Sequence, residues 1–114
     1  MTYGGLALRG KALALLLVAT PALAEPLTIA AFGDSLTQGY GLIEQEGFVP
    51  QLRVWLAEHG DEHGTEVTVS NAGVSGDTTA GGLARVDWTL TPDVGAMIVA
   101  LGGNDLLRVI DPAQ

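Results

Sequence analysis

The feature that most constrains the fold is a regular alternation of strand-like and helix-like segments. Strand-like patterns occupy residues 27–32, 67–71 and 94–101, and two segments with helical spacing separate them. The apolar run at 27–32 is typical of a strand that is buried on both faces, and the alternation of Val67 and Val69 with polar residues indicates a second strand. The order strand, helix, strand, helix, strand with short connections predicts parallel strands joined by helical crossovers. The sequence therefore predicts the beginning of one α/β sandwich domain.

Two apolar stripes define the predicted helices. The stripe of the first helix, which starts after Gly47, consists of Phe48, Leu52, Trp55 and Leu56. These positions lie on one face because they are separated by about one or two helical turns. The second helix follows the possible N-caps Asp77, Thr78 and Thr79, carries Leu83, Val86 and Leu90, and ends before Pro92. Residues 33–41, between the first strand and the first helix, are predicted to form a loop.

The first 24 residues have the pattern of an export signal. Arg9 and Lys11 precede an apolar run at residues 12–24, which closes with the small-residue sequence Ala-Leu-Ala. This pattern predicts cleavage between Ala24 and Glu25. The run is shorter than the roughly 20 residues that cross a bilayer, so a membrane anchor is disfavoured. We therefore expect residues 25–114 to belong to the mature domain, in the periplasm or outside the cell.

The acidic composition restricts the possible partners. The formal net charge is -8, and it becomes -10 without residues 1–24, which contain Arg9 and Lys11 but no acid. Such a surface repels phosphate backbones and anionic headgroups, so we expect neither a nucleic-acid partner nor stable membrane insertion. Cysteine is absent from the sequence. This excludes disulfides, thiolate metal sites and a cysteine nucleophile.

A loop that contains candidate catalytic residues follows each predicted strand. The three loops read Gly33-Asp34-Ser35-Leu36, Asn71-Ala72-Gly73-Val74-Ser75-Gly76 and Gly102-Gly103-Asn104-Asp105. Because ligands bind at the carboxyl ends of parallel strands, these loops are expected to share one site. Ser35 is a candidate nucleophile there. The unobstructed N–H of Gly73 and the amide of Asn104 are candidate donors to an oxyanion.

Each of these residues also has a purely structural interpretation. Ser35 could cap a helix, Gly73 could serve a plain turn, and Asn104 could adopt a tight left-handed turn after two glycines. Taken singly, each structural role is the commoner one. Their coincidence at three equivalent strand ends favours an acyl-transfer site.

Three sequence blocks resemble the GDSL/SGNH hydrolases. They are GDSL at 33–36, NAGVSGDTT at 71–79 and GGND at 102–105. The family is named for Ser, Gly, Asn and His, of which the first three match Ser35, Gly73 and Asn104. The sequence in and around these blocks is most similar to that of the exported bacterial arylesterases, acyl-CoA thioesterases and lysophospholipases. The resemblance implies a three-layer α/β/α sandwich with a flavodoxin-like parallel sheet. It also implies hydrolysis of small-molecule acyl esters or thioesters through a serine acyl-enzyme, without metal or organic cofactor.

The sequence departs from the family pattern at the general base. Family members carry a catalytic Asp and His in a D-x-x-H motif, and this sequence has none. Its two histidines, His59 and His63, lie in a polar segment and are interpreted as solvated. We therefore expect the chain to be the N-terminal portion of the domain, truncated before the D-x-x-H segment and inactive alone. The acids within the blocks, Asp34, Asp77 and Asp105, are interpreted as caps or loop braces.

A second functional hypothesis stays open. A fold of this family without its base would be a non-catalytic module that binds acyl or glycan esters, and the missing histidine is compatible with it. Dinucleotide binding is disfavoured, because the sequence after Gly39 and Gly41 lacks the third glycine of that motif.

Overall fold

The computed structural model describes residues 25–60 and 64–114. The described strands are β1 (Leu27–Gly33), β2 (Val67–Gly73) and β3 (Val94–Ala100). The described α-helices are α1 (Ser35–Gln38), α2 (Phe48–His59), α3 (Thr79–Thr89) and α4 (Gly103–Leu107), and a short 3-10 helix spans Glu44–Glu46. The expected signal peptide and His63 lie outside the described residues.

All three strands are parallel, in the order β2-β1-β3. Gly33 at the end of β1 is in register with Gly73 of β2 and Ala100 of β3. The chain thus runs outward from β1 to β2 and then returns across β1 to β3. This reversal creates a topological switch point at the carboxyl end of β1, where open α/β sheets bind their ligands. The predicted parallel α/β architecture is confirmed.

Helices cover both faces of β1. On one face Ala31 packs with Val49 of α2 and Val69 of β2, and all three side chains are buried. On the other face Phe32 lies against α3, where a Cβ added to Gly82 would come within 3.2 Å of its ring. Alternate residues of β1 therefore contact opposite layers, as expected for a strand at the centre of an α/β sandwich.

The strand β3 has an outer position in the described sheet. Ile98 and Val99 are 37% and 63% exposed, whereas Ala31 of β1 is fully buried. In the part of the chain that the structure describes, no helix combines the length and apolar character needed to span a membrane.

The structure corrects the prediction of a continuous loop at residues 33–41. Ser35–Gln38 forms α1, because Asp34 Oδ1 accepts the N–H of Leu36 at 3.0 Å and so caps the first turn. Gly39 ends the helix with φ 91°, a left-handed conformation that glycine adopts without strain. The third loop likewise contains the short helix α4.

Candidate active site

Ser35 is the first residue of α1 and follows β1 by a single residue. It is half-buried at the carboxyl edge of the sheet. The N-cap of α1 is Asp34, so the capping interpretation of Ser35 is wrong. Among the described residues, none hydrogen-bonds Ser35 Oγ. The structure therefore leaves this hydroxyl free at the switch point of the sheet.

Gly73 ends β2 rather than lying in a turn, which contradicts its structural interpretation. A Cβ at this position would lie 2.8 Å from the Cα of Gln38 and 2.9 Å from the carbonyl carbon of Thr37. The backbone of α1 thus lies directly against the end of β2, and only glycine permits this approach. The Gly73 N–H donates to Asn71 Oδ1 at 2.9 Å. This donor already has a partner.

Asn71 is a connecting residue that the sequence interpretation missed. Its Nδ2 lies 3.3 Å from the carbonyl oxygens of both Thr37 and Gln38, at the end of α1. Together with its acceptor contact to Gly73, this amide joins the helix that carries Ser35 to the end of β2. Its place at the head of the second sequence block was the available signal.

Asn104 is the second residue of α4, so its assignment to a left-handed turn is wrong. The positive φ in this segment, 121°, belongs to Gly102. Asn104 Nδ2 donates to the carbonyl oxygen of Asp77 at 2.9 Å. A side-chain amide has two N–H bonds, so this contact fixes its orientation and leaves the second N–H to donate elsewhere.

Arg85 of α3 is a second residue that the sequence interpretation missed. Its Nε lies 2.7 Å from Asp77 Oδ2, and its Nη1 and Nη2 donate to the carbonyl oxygens of Ala72 and Gly33 at 2.8 and 2.9 Å. An arginine next to the apolar stripe of α3 was the only sequence signal, and it did not identify these distant partners. Thr78, rather than Asp77, is the N-cap of α3 and accepts the N–H of Gly81.

Asp105 braces α4 against the beginning of α3, as its sequence interpretation predicts. Thr79 donates its hydroxyl to Oδ2 at 2.6 Å and its N–H to Oδ1 at 2.8 Å. The two hydrogen bonds from Thr79, first the hydroxyl and then the backbone, lower the pKa of Asp105, and the charge of Arg108 acts in the same direction. The brace therefore favours the ionised carboxylate next to Asn104.

The lowered pKa of Asp105 predicts an acid-dependent loss of the brace. A carboxyl whose pKa is lower in the folded state contributes stability above its unfolded pKa, and that contribution disappears as pH falls through the folded value. Thr79→Val should raise the pKa of Asp105 towards the ordinary aspartate value, because it removes the hydroxyl donor. An NMR titration of the carboxyl measures this shift. Thr68→Val, on an exposed position of β2, is the control; an equal shift there, or none in Thr79→Val, contradicts the assignment.

The described histidine, His59, does not reach Ser35. It ends α2, which starts beside α1 and whose 12 residues extend for about 18 Å towards the opposite edge of the sheet. The ring stacks on Trp55 with centroids 4.8 Å apart, and Nδ1 donates to the Trp55 carbonyl at 3.0 Å. These contacts give His59 a structural role at the end of α2. Within the described ranges, no three acidic or histidine side chains are grouped closely enough to hold a metal ion.

The sequence profile of the GDSL-like lipase/acylhydrolase family matches residues 31–114. The chain belongs to this family. The match begins within β1 and includes β2, β3 and all three blocks that suggested the resemblance, which is thereby confirmed. The arrangement of the three blocks at one edge of the sheet is accordingly a feature of an acylhydrolase domain.

Two curated relatives support the same assignment. Esterase TesA of Pseudomonas aeruginosa is 43% identical over 103 residues, which are 90% of this chain and 48% of that protein. Thioesterase 1/protease 1/lysophospholipase L1 of Escherichia coli K12 is 37% identical over 88 residues, 76% of this chain and 39% of that protein. The chain thus spans about half or less of the length of the curated relatives that it matches.

A solved structure shows the same fold. The chain superposes on AlinE4, an esterase of the SGNH-hydrolase family, with a TM-score of 0.65 and 48% identity. The match covers 77% of this chain and 46% of AlinE4. The described part of this chain thus has the fold of an SGNH-hydrolase esterase.

Proposed function

We propose that this chain provides the nucleophile and the oxyanion donors of a serine hydrolase that cleaves carboxylic esters and thioesters. The observation that carries the proposal is the convergence of the three sequence blocks at the switch point of the parallel sheet. Ser35 follows the central strand, and the other two blocks follow the strands on either side of it. A hydroxyl between two sets of N–H donors is the arrangement that acyl transfer requires.

The chemistry proposed for each residue uses the groups that the described hydrogen bonds leave available. Ser35 Oγ attacks the acyl carbonyl carbon, the alcohol or thiol leaves, and water then hydrolyses the acyl-enzyme to release the acid. The second N–H of Asn104 and the N–H of Ser35 donate to the oxyanion. Gly73 N–H is the remaining proposed donor, and it must exchange or share its bond to Asn71 Oδ1 when the oxyanion forms. Asn104 is therefore the principal donor in this proposal.

The general base is proposed to come from outside the described residues. His59 lies near the opposite edge of the sheet, and the curated relatives extend over about twice the length of this chain. We assign the base to a histidine of a D-x-x-H segment in the remaining part of the domain. That segment would deprotonate Ser35 and protonate the leaving group.

Residues 1–24 are a proposed export signal. This proposal rests on the charged flank, the apolar run and the Ala-Leu-Ala end of the sequence. Cleavage after Ala24 would place the enzyme in the periplasm or outside the cell. Sequencing the N-terminus of the exported protein checks this, and a chain that still begins at Met1 contradicts it.

Hydrolysis of a p-nitrophenyl ester by the full-length protein, which here means the domain together with the proposed D-x-x-H segment, tests the function. We expect saturable release of p-nitrophenol, with a stoichiometric burst when deacylation is the slow step. A coenzyme A thioester, followed by thiol release, extends the test to the second substrate class. The position of His59 away from Ser35 is also compatible with the alternative of an ester-binding module. Saturable ester binding without turnover by the full-length protein would establish that alternative and overturn the proposed reaction.

A further inference from the structure

We propose that Arg85 is the positioning residue of this site, holding the segments that carry Ser35, Gly73 and Asn104 in one geometry. The inference rests on the proposed function. It adds a residue that lies outside the three sequence blocks and that has no role in the chemistry proposed above. Arg85 touches neither the hydroxyl nor the oxyanion donors through a recorded hydrogen bond. It acts through the backbone that precedes Ser35 and Gly73 and, through Asp77, on the Asn104 side chain.

Two arms of the guanidinium bind the ends of neighbouring strands. Nη2 donates to the carbonyl oxygen of Gly33 at 2.9 Å, two residues before Ser35. Nη1 donates to the carbonyl oxygen of Ala72 at 2.8 Å, and Ala72 immediately precedes Gly73. One planar group therefore fixes the relative position of the segments that carry the nucleophile and one oxyanion donor.

The third arm reaches the remaining donor through Asp77. Arg85 Nε lies 2.7 Å from Asp77 Oδ2. The carbonyl oxygen of Asp77 in turn accepts the Asn104 side chain at 2.9 Å. The position of the Asn104 amide is thus connected to Arg85 through a single residue.

The surroundings of Arg85 favour one conformation of its side chain. The side chain is 11% exposed, and its guanidinium carbon lies 4.0 Å from the centroid of the Phe32 ring. Stacking on an aromatic face adds a cation–π attraction and holds the guanidinium plane. Three acceptors in fixed directions match the rigid donor fork of arginine, whereas the ammonium group of lysine is a point charge without such a fork.

The expected consequence of losing this fork is a fall in kcat. A displacement of about 1 Å in a catalytic group can lower the rate of the chemical step about 10²-fold. Arg85→Lys retains the positive charge but cannot reach all three acceptors, so we expect kcat to fall about 10- to 100-fold. KM should change by less than about twofold, because ground-state contacts of the substrate are not removed.

Arg53 provides a matched control in the same molecule. Its Nε and Nη2 both donate to the carbonyl oxygen of Val69, at 3.0 and 2.7 Å, so it also forks onto β2. Arg53 lies on α2, and the carbonyl that it binds lies several residues before Gly73. Arg53→Lys and Arg85→Lys should both lower the midpoint of thermal unfolding, but Arg53→Lys should leave kcat unchanged.

The experiment compares Arg85→Lys and Arg53→Lys in the full-length protein, with kcat normalised to the number of serines that a fluorophosphonate titrates. A fall in kcat confined to Arg85→Lys supports the proposal. The effect should also be smaller in an Asn104→Ala background, because one of the three connections of Arg85 leads to Asn104. If Arg85→Lys does not fold, Asp77→Asn, which loses the ion pair, should lower kcat several-fold with little change in KM.

Equal kcat values in Arg85→Lys and Arg53→Lys overturn the positioning role. If Arg85→Lys does not fold, an unchanged kcat in a folded Asp77→Asn variant overturns it instead. Both outcomes leave the proposed function intact if Ser35→Ala is inactive. Activity of Ser35→Ala would instead reject the proposed function. The positioning role of Arg85 would then be rejected as well.

Discussion

Ser35→Ala in the full-length protein is expected to abolish acylation and to lower kcat by at least about 10³-fold. The substitution removes the atom that we propose forms the covalent bond with the acyl group, and loss of a serine nucleophile in a triad can cost as much as about 10⁶-fold. The fold should not change, because Ser35 Oγ has no hydrogen-bond partner among the described residues and Asp34 caps α1. Stopped-flow release of p-nitrophenol measures both the burst and the turnover.

Ser70→Ala is the matched control for this prediction. Ser70 lies on an exposed position of β2, and among the described residues its hydroxyl hydrogen-bonds only the carbonyl oxygen of Ile29, at 3.5 Å. This variant should keep the burst and the kcat of the original protein. A burst of normal amplitude in Ser35→Ala would show that another group is acylated.

Asn104→Ala is expected to lower kcat about 10²- to 10³-fold with a smaller change in KM. A donor to the oxyanion acts chiefly when negative charge develops on the oxygen, so its loss raises the barrier more than it weakens substrate binding. The lost hydrogen bond to the Asp77 carbonyl should cost about 1 kcal/mol of stability, which leaves the protein folded. Steady-state kinetics together with a thermal unfolding curve separate the two effects.

Asn104→Asp distinguishes donation from shape. A carboxylate has nearly the same size as the amide, but when ionised it has no N–H to offer to either the oxyanion or Asp77. It should therefore be at least as slow as Asn104→Ala. Activity close to that of the original protein in Asn104→Asp would show that the amide donor is not required, and an effect confined to KM would assign Asn104 to substrate binding.

The strands and longer helices of the fold could be predicted because their signals are local and periodic. Residues 27–32 form an apolar run long enough for one buried strand, and the stripes of α2 and α3 repeat with helical spacing. The helices α1 and α4 have four and five residues, too few to show a period. They depend on the Asp34 cap, on Gly39 in a left-handed conformation and on the brace from Asp105.

The site could be predicted only in outline. Parallel strands place their carboxyl ends together, so the sequence indicates that the blocks containing Ser35, Gly73 and Asn104 share an edge. The bonds that orient those blocks depend on tertiary contacts. Arg85 reaches Gly33 across 52 positions, and Asn71 reaches Gln38 across 33. No local pattern specifies such partners, and the occupied N–H of Gly73 was likewise invisible in the sequence.

The most direct measurement is the location of the covalent adduct. The full-length protein is mixed with a molar excess of p-nitrophenyl ester, quenched in acid during the burst, digested and analysed by mass spectrometry. The account predicts one acyl group per molecule, attached to Ser35 and absent from Ser35→Ala. An acyl group on any other residue, or turnover with no adduct when deacylation is rate-limiting, would contradict it.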